Sequence, residues 1–335
     1  MEELIKGAEQ GDVEAQVTLA VAYLKGERVE ENHEKAFGWI SKAAESGNMD
    51  AKLLLAFCYE NGYGTEEDMH KAFELYELLA EQGVEEAQDS LAECYDDAKG
   101  TEVNHEMAFY WYKKAAEQGY ADSQFNLAVC YERGKGTEID LKEAFKWYKK
   151  AAEQNHAFSQ FNLGLCYAKG WGTAVDLEKA FRYYLSSAEL GDVYGQNNVA
   201  ICYEKGLGTE VNYEKAFNWY KIAAEGGDIY APHNVGVCYE FGKGTSIDLK
   251  EALEWYRYSA ERGNVYSQYR TALFYEEGKG TEVNLMEAYQ WYKLAAEQGH
   301  DLSIEKVNAL EKLFKHEDSN LKKNKSFSGK LFGKK

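Results

Sequence analysis

Six cysteines are the residues that most invite a chemical reading. Cys58, Cys94, Cys130, Cys166, Cys202 and Cys238 stand 36 residues apart, in one column. A disulfide needs Cα atoms roughly 4.4–6.8 Å apart, and equivalent residues of stacked units lie beyond that reach. The column therefore reads as six free, buried thiols acting as small hydrophobes. No two cysteines are neighbours, so no zinc site is expected. The loops Gly134-Lys-Gly-Thr137, Gly242-Lys-Gly-Thr245 and Gly278-Lys-Gly-Thr281 resemble a phosphate cradle. They follow helical stretches, not strands, and lack the full G-x-x-x-x-G-K-[ST] spacing, so they read as turns. Ser303-Ile-Glu-Lys306 and Ser319-Asn-Leu-Lys322 fit S-x-x-K, but neither S-D-N nor K-T-G occurs in the chain. Its seven histidines form no H-E-x-x-H. No nucleophilic, metal or cofactor constellation is visible, and the expectation is a protein that is not an enzyme and carries no cofactor.

Composition narrows the field further. The chain has 335 residues, 38 Lys plus Arg against 57 Asp plus Glu, and a net charge of −19. Such a body is a poor partner for nucleic acid, whose phosphates need an excess of cations. Apolar residues at 45% mark a globular chain. No apolar run is long enough to span a membrane. The start, Met1-Glu2-Glu3-Leu4-Ile5-Lys6, lacks the basic and apolar stretches of a secretory signal. With unpaired thiols, this points to a reducing cytoplasm. Secretion by another route stays open. Pro232 is the single proline, which suits long helices joined by stereotyped turns.

The elements that position these residues repeat. Ala-Glu-x-Gly recurs from Ala8 to Ala296 in steps of 36 residues, with Asn155 alone replacing the closing glycine. Apolar and small residues at 123, 127, 128 and 131 mark one helix. Those at 144, 145, 148, 151 and 152 mark a second. Gly134-Lys-Gly136-Thr137 breaks the chain between them. The second helix starts from Asn32, Asp68, Asn104, Asp140, Asp176, Asn212, Asp248 or Asn284, all preferred N-caps. Tyrosine fills the column from Tyr23 to Tyr275, and alanine that from Ala36 to Ala288. The recurring Tyr and Trp columns read as core and not as a ligand box. Units of this size cannot bury a core alone and must stack. The expected fold is all-α, a right-handed α-solenoid (superhelix) of eight stacked 36-residue helix-turn-helix repeats. Residues 1–11 end a partial N-terminal repeat, 12–299 hold the eight repeats, and 300–318 form a capping helix. Residues 319–335 form a basic disordered tail. Repeat one is counted from residue 12, and each later repeat starts 36 residues on.

Leu127-Ala-x-Cys-Tyr131, Gly134-x-Gly136-Thr137, Ala144-Phe-x-Trp-Tyr148 and Ala151-Ala-Glu-Gln154 together resemble the Sel-1-like repeat family, a relative of the tetratricopeptide repeats. The pattern covers most of the chain. Repeat one departs at Arg28 and Val29, repeat two at Leu75 and repeat three at Ala98. The resemblance implies a non-catalytic protein–protein interaction scaffold or adaptor. It leaves two alternatives: a hydrolase of the β-lactamase type described for cysteine-rich relatives, or a secreted, host-directed interaction factor.

In tetratricopeptide relatives the first helix of each pair lines the concave face, and the resemblance carries that arrangement here. One first-helix column holds Asn126, Asn162, Asn198, Asn234 and then Arg270. An amide donates and accepts together and so matches a peptide unit. The preceding column holds Phe125, Phe161, Asn197, His233 and Tyr269. A third turns from acidic (Glu14, Asp50, Glu86, Asp122) to aromatic (Phe158, Tyr194, Tyr230, Tyr266). Aromatic anchors beside polar amides resemble an interface hot spot. The expectation is a groove for a peptide or protein partner in repeats four to eight. The competing reading has the asparagines capping helices and the aromatics packing between layers. An acidic row, including Glu60, Asp96, Glu132, Glu204, Glu240 and Glu276, selects basic peptides or is simply a solvated face. The tail holds six lysines and no acid; it contacts an acidic surface, a partner or the acidic body, or only aids solubility.

Overall fold

The computed structural model describes the backbone of residues 1–331 and the side chains of residues 1–316. Among the described residues there are 18 helices and no strand. The chain divides into two compact units, Met1–Val175 and Asp176–Lys335. The first unit holds α1 (Glu2–Glu9), α2 (Val13–Lys25), α3 (His33–Glu45), α4 (Met49–Asn61), α5 (Met69–Glu81), α6 (Glu85–Asp97), α7 (His105–Gln118), α8 (Ala121–Arg133), α9 (Leu141–Glu153) and α10 (Ala157–Lys169). The second holds α11 (Leu177–Glu189), α12 (Val193–Lys205), α13 (Tyr213–Glu225), α14 (Ala231–Phe241), α15 (Leu249–Glu261), α16 (Val265–Glu277), α17 (Leu285–Glu297) and α18 (Asp301–Leu331). Within each unit every helix packs on the next in the chain. This is the all-α solenoid that the repeat demands. Helix α18 is continuous through Leu331, so the backbone of residues 319–331, expected to be disordered, is helical. Of the expected tail, the side chains and residues 332–335 lie outside the described residues.

Side-chain caps start the second helices as the sequence requires. Each of the eight Asn or Asp residues accepts a backbone N–H two or three residues ahead. Such a cap contributes roughly 1 kcal/mol. First helices end on a left-handed residue whose N–H returns to the carbonyl four residues back; for α8 this is Gly134 to Cys130. Ala98 ends α6 at φ 58°, the same conformation without glycine's freedom. Pro232 sits in the first turn of α14, where it removes no intrahelical bond.

From repeat two onward, the second glycine of each loop fixes the stacking. At Gly136, φ is 66°, and a Cβ would lie 1.9 Å from the His105 carbonyl oxygen at the start of α7. Gly208 meets the Leu177 carbonyl in the same way in the second unit. The loop of one repeat therefore rests on the first turn of the previous repeat's second helix. Aromatic pairs reinforce this contact. Phe109 meets Tyr131 edge-on at 5.3 Å, and Phe217 meets Tyr239 at 5.2 Å. The alanine columns are buried, including Ala108, Ala144, Ala216 and Ala252. Small side chains there let helices approach closely, so the core is thin and rich in backbone contact.

All six cysteines are buried and free. Burial pushes the Cys58 and Cys202 thiols up to about 11. Burial, with the Asp96 carboxylate nearby, takes Cys130 to about 12. They fill space, and their thiols stay protonated.

Candidate partner-binding surface

The first helices present three columns, spaced so that they share one side. The outermost lies at the start of the first helices, with Tyr230 just before α14. Phe158, Tyr194, Tyr230 and Tyr266 are exposed there, at 51%, 47%, 56% and 63%. Three positions on, Phe161, His233 and Tyr269 are half-buried, while Asn197 is buried. In the first unit Phe125 lies 5.1 Å from the His156 ring and 6.2 Å from Phe158. In the second unit His233 lies 6.5 Å from Tyr266, and Tyr269 lies 4.8 Å from His300. Each unit thus brings part of the expected aromatic set together.

The asparagines divide into two kinds. Asn162 Nδ2 donates to the Phe158 carbonyl and Asn198 Nδ2 to the Tyr194 carbonyl, both one turn back in their own helix. Asn126 Nδ2 donates across repeats to Asp89 Oδ1 at 3.4 Å, and Asn234 Nδ2 to Asn197 Oδ1 at 3.4 Å. The asparagines therefore brace their own turn or the adjoining repeat, and none caps a helix end. Arg270 pairs with Glu240 at 3.5 Å. His233 Nδ1 bonds Ser267 Oγ at 2.8 Å. Burial, with the Arg270 charge nearby, lowers its imidazole to about 4.

One buried carboxylate stands out. Asp89 is buried, takes a 2.5 Å hydrogen bond from Ser123 Oγ and receives Asn126. Burial raises it to about 6, against the hydrogen bond from Ser123. A groove of about 320 Å³ opens in the same unit, lined by Leu53, Leu54, Phe57, Tyr76, Glu86, Ser90 and Tyr120. It occupies the same columns as the expected site, but in repeats two and three. Leu53 and Leu54, two adjacent leucines where later repeats pair an aromatic or polar residue with a polar one, are the sequence signal for it.

The acidic row is not a simple solvated face. Tyr76, Tyr148, Tyr220, Tyr256 and Tyr292 donate their hydroxyls to Glu60, Glu132, Glu204, Glu240 and Glu276, at 2.5–2.9 Å. Lysines of the following repeat or cap close the other side: Lys99 on Glu60, Lys135 on Asp96, Lys243 on Glu204 and Lys306 on Glu276. Burial raises the Glu204 carboxyl, but hydrogen bonds from Lys243 and Tyr220 hold it below the usual range. The lysine of Gly134-Lys-Gly-Thr137 and its counterpart at 243 are thus inter-repeat ties, and the loops are structural turns.

A glutamine column also went unread. Gln16, Gln88, Gln124, Gln160, Gln196 and Gln268 are buried, and each Nε2 donates to the alanine carbonyl eight residues back. Ser303 is buried with its Oγ on His300 Nδ1, while Lys306 is engaged by Glu276, so the Ser-x-x-Lys groups serve other partners. Ser319 and Lys322 lie outside the described side chains. Among the described residues, no helix is long and apolar enough to cross a membrane.

The Sel1 repeat matches eight times, over residues 13–48, 50–84, 85–120, 121–156, 157–192, 193–228, 229–264 and 265–300. Among solved structures, the chain is similar to c5321, a protective antigen of uropathogenic Escherichia coli strains with an SLR fold. The two are 33% identical with a TM-score of 0.81, over 92% of this chain and 66% of that one. It is also similar to a Sel1 repeat protein from Oxalobacter formigenes, at 27% identity and TM-score 0.70, over 92% and 90%. No curated protein matches the sequence. With eight repeats matched in an unbroken series, the chain belongs to the Sel1 repeat family.

Proposed function

We propose that this chain is a non-catalytic interaction scaffold that binds an extended peptide or protein segment along its first helices, on a concave face. The observation that carries the reading is the exposed aromatic column of the second unit, Tyr194, Tyr230 and Tyr266. Large aromatics at 47–63% exposure in three consecutive repeats are costly to leave in water. Tyrosine in such settings supplies large contact area at low entropic cost. Beside them, the side-chain carbonyl oxygens of Asn198 and Asn234, whose amide nitrogens donate within the chain, can accept from a peptide N–H. Each such hydrogen bond contributes about 0.5–1.5 kcal/mol. Within the first unit, the Leu53–Phe57 groove suits an apolar anchor. A reducing compartment fits the free thiols.

The test is selection of a displayed peptide library on the full chain. Binders that lose affinity for a Tyr194→Ala, Tyr230→Ala, Tyr266→Ala variant of equal helicity support the reading. Binders indifferent to that variant and to Leu54→Asp would place recognition elsewhere and overturn it.

A further inference from the structure

The tryptophan column on the second helices carries its own lysines in two repeats. Lys42 lies over the Trp39 ring at 4.4 Å, and Lys150 over the Trp147 ring at 3.8 Å. Both lysines sit three residues after the tryptophan, on the same helical face. In repeat seven that position is Tyr258, so Trp255 stands edge-on to a second aromatic ring at 6.0 Å. Trp255 is half-buried, so this member of the column is not wholly core. A groove of about 460 Å³ opens beside it between α13 and α15. Glu225, Glu251, Glu254 and Glu261 line it, with Arg257 as its one lining cation. Arg257 is engaged by Glu261 at 3.5 Å. Arg262 stacks on Tyr258 at 3.5 Å and is not part of the lining. The neighbouring repeats do not reproduce this chemistry. Repeat six has Lys215 and Asn218 where repeat seven has Glu251 and Glu254.

We propose that this groove binds a lysine side chain from a basic segment of a partner protein, its ammonium seated at Trp255 and neutralised by Glu251 and Glu254. Lys42 and Lys150 show, within the same chain, what this column accepts. Repeat seven keeps the aromatic platform, adds carboxylates and omits the internal lysine. The site lies on the second helices and is independent of the first-helix surface proposed above. A cation over a tryptophan face, partly desolvated, is held by ring and carboxylates together.

The test uses fluorescence anisotropy of a labelled tri-lysine peptide on the full chain, with the fully acetylated peptide alongside. Tyr258→Lys restores the internal arrangement of Trp147 and Lys150, and should weaken binding about tenfold. Glu251→Gln with Glu254→Gln, both exposed, should weaken it comparably and flatten its salt dependence. Circular dichroism checks that each variant folds. Equal binding of the acetylated peptide, or unchanged binding by the folded variants, overturns the proposal. A chain with its six tail lysines changed to glutamine is the last arm. Unchanged affinity is expected. Binding about tenfold tighter would mean that the protein's own lysines fill the groove, and would overturn the assignment to a partner.

Discussion

Tyr148 donates its hydroxyl to Glu132 Oε2 at 2.8 Å, from the second helix of repeat four back to the first. Tyr148 is fully buried, and burial beside the carboxylate raises its phenol far above the ordinary value. The phenol therefore stays a donor at any physiological pH. Tyr148→Phe removes the donor with little change in shape. The expected loss is about 1–2 kcal/mol, since the acceptor is charged. Urea denaturation at neutral pH measures it. A variant as stable as the parent would show that the pair orients the helices without holding them.

Gly136→Ala should be among the most costly single methyls added to the loops, alongside Gly208→Ala. It forces a left-handed alanine, roughly 1–2 kcal/mol, and drives Cβ into the His105 carbonyl. A total above about 2 kcal/mol is expected. Gly83→Ala is the control. Its φ is also positive, at 91°, but a Cβ there meets nothing within 4 Å. Comparing the two melting curves separates backbone strain from lost stacking.

Ala98→Gly should stabilise the protein. Ala98 already holds φ 58° at the end of α6, where equivalent residues are glycine. Relief of left-handed strain outweighs the added entropy of the unfolded glycine, for a net gain of about 0.5–1 kcal/mol. Denaturant midpoints of the two chains give the answer directly.

Asp89 and His233 give the two units opposite responses to acid. The Asp89 carboxyl is raised in the folded state to about 6. Its folded form holds the proton more tightly than the unfolded chain does. Stability from this group is full below the ordinary carboxylate range and is lost as pH rises through about 6. Asp89→Asn should thus gain about 2–3 kcal/mol at neutral pH and nothing near pH 3. His233 is lowered to about 4, so its contribution is present above the ordinary histidine value and is lost as pH falls through 4. Thermal melts from pH 3 to 8 on wild type, Asp89→Asn and His233→Gln distinguish the two windows.

Legibility in the sequence follows the range of each interaction. The caps at Asn32 through Asn284, the glycine ends and the cysteine column depend on neighbours a few residues away, and all were readable. The Tyr148–Glu132 pair and the Gln124–Ala116 bond join residues on different helices. Glutamate, lysine and glutamine at helical spacing look like a solvated face until the helices are placed together. The Leu53 groove is not legible as a recurring pattern, because a cavity forms where side chains are short enough to leave one. The asparagine column was seen, but its hydrogen bonds inside the chain were not, because an amide's partner is set by backbone geometry a turn or a repeat away.

The loop glycine at 136 resting on the carbonyl of residue 105 has a counterpart 72 residues later, where Gly208 rests on Leu177. Inter-repeat ties keep equally constant offsets: Lys135 to Asp96 and Lys243 to Glu204 both span 39 residues. A copying slip that duplicates or deletes a whole 36-residue period among repeats two to eight of one unit returns each such loop glycine to an equivalent carbonyl. A slip that is not a multiple of 36 breaks that register. Gene slippage can therefore change how many modules this architecture has, while the dimensions of each module stay fixed.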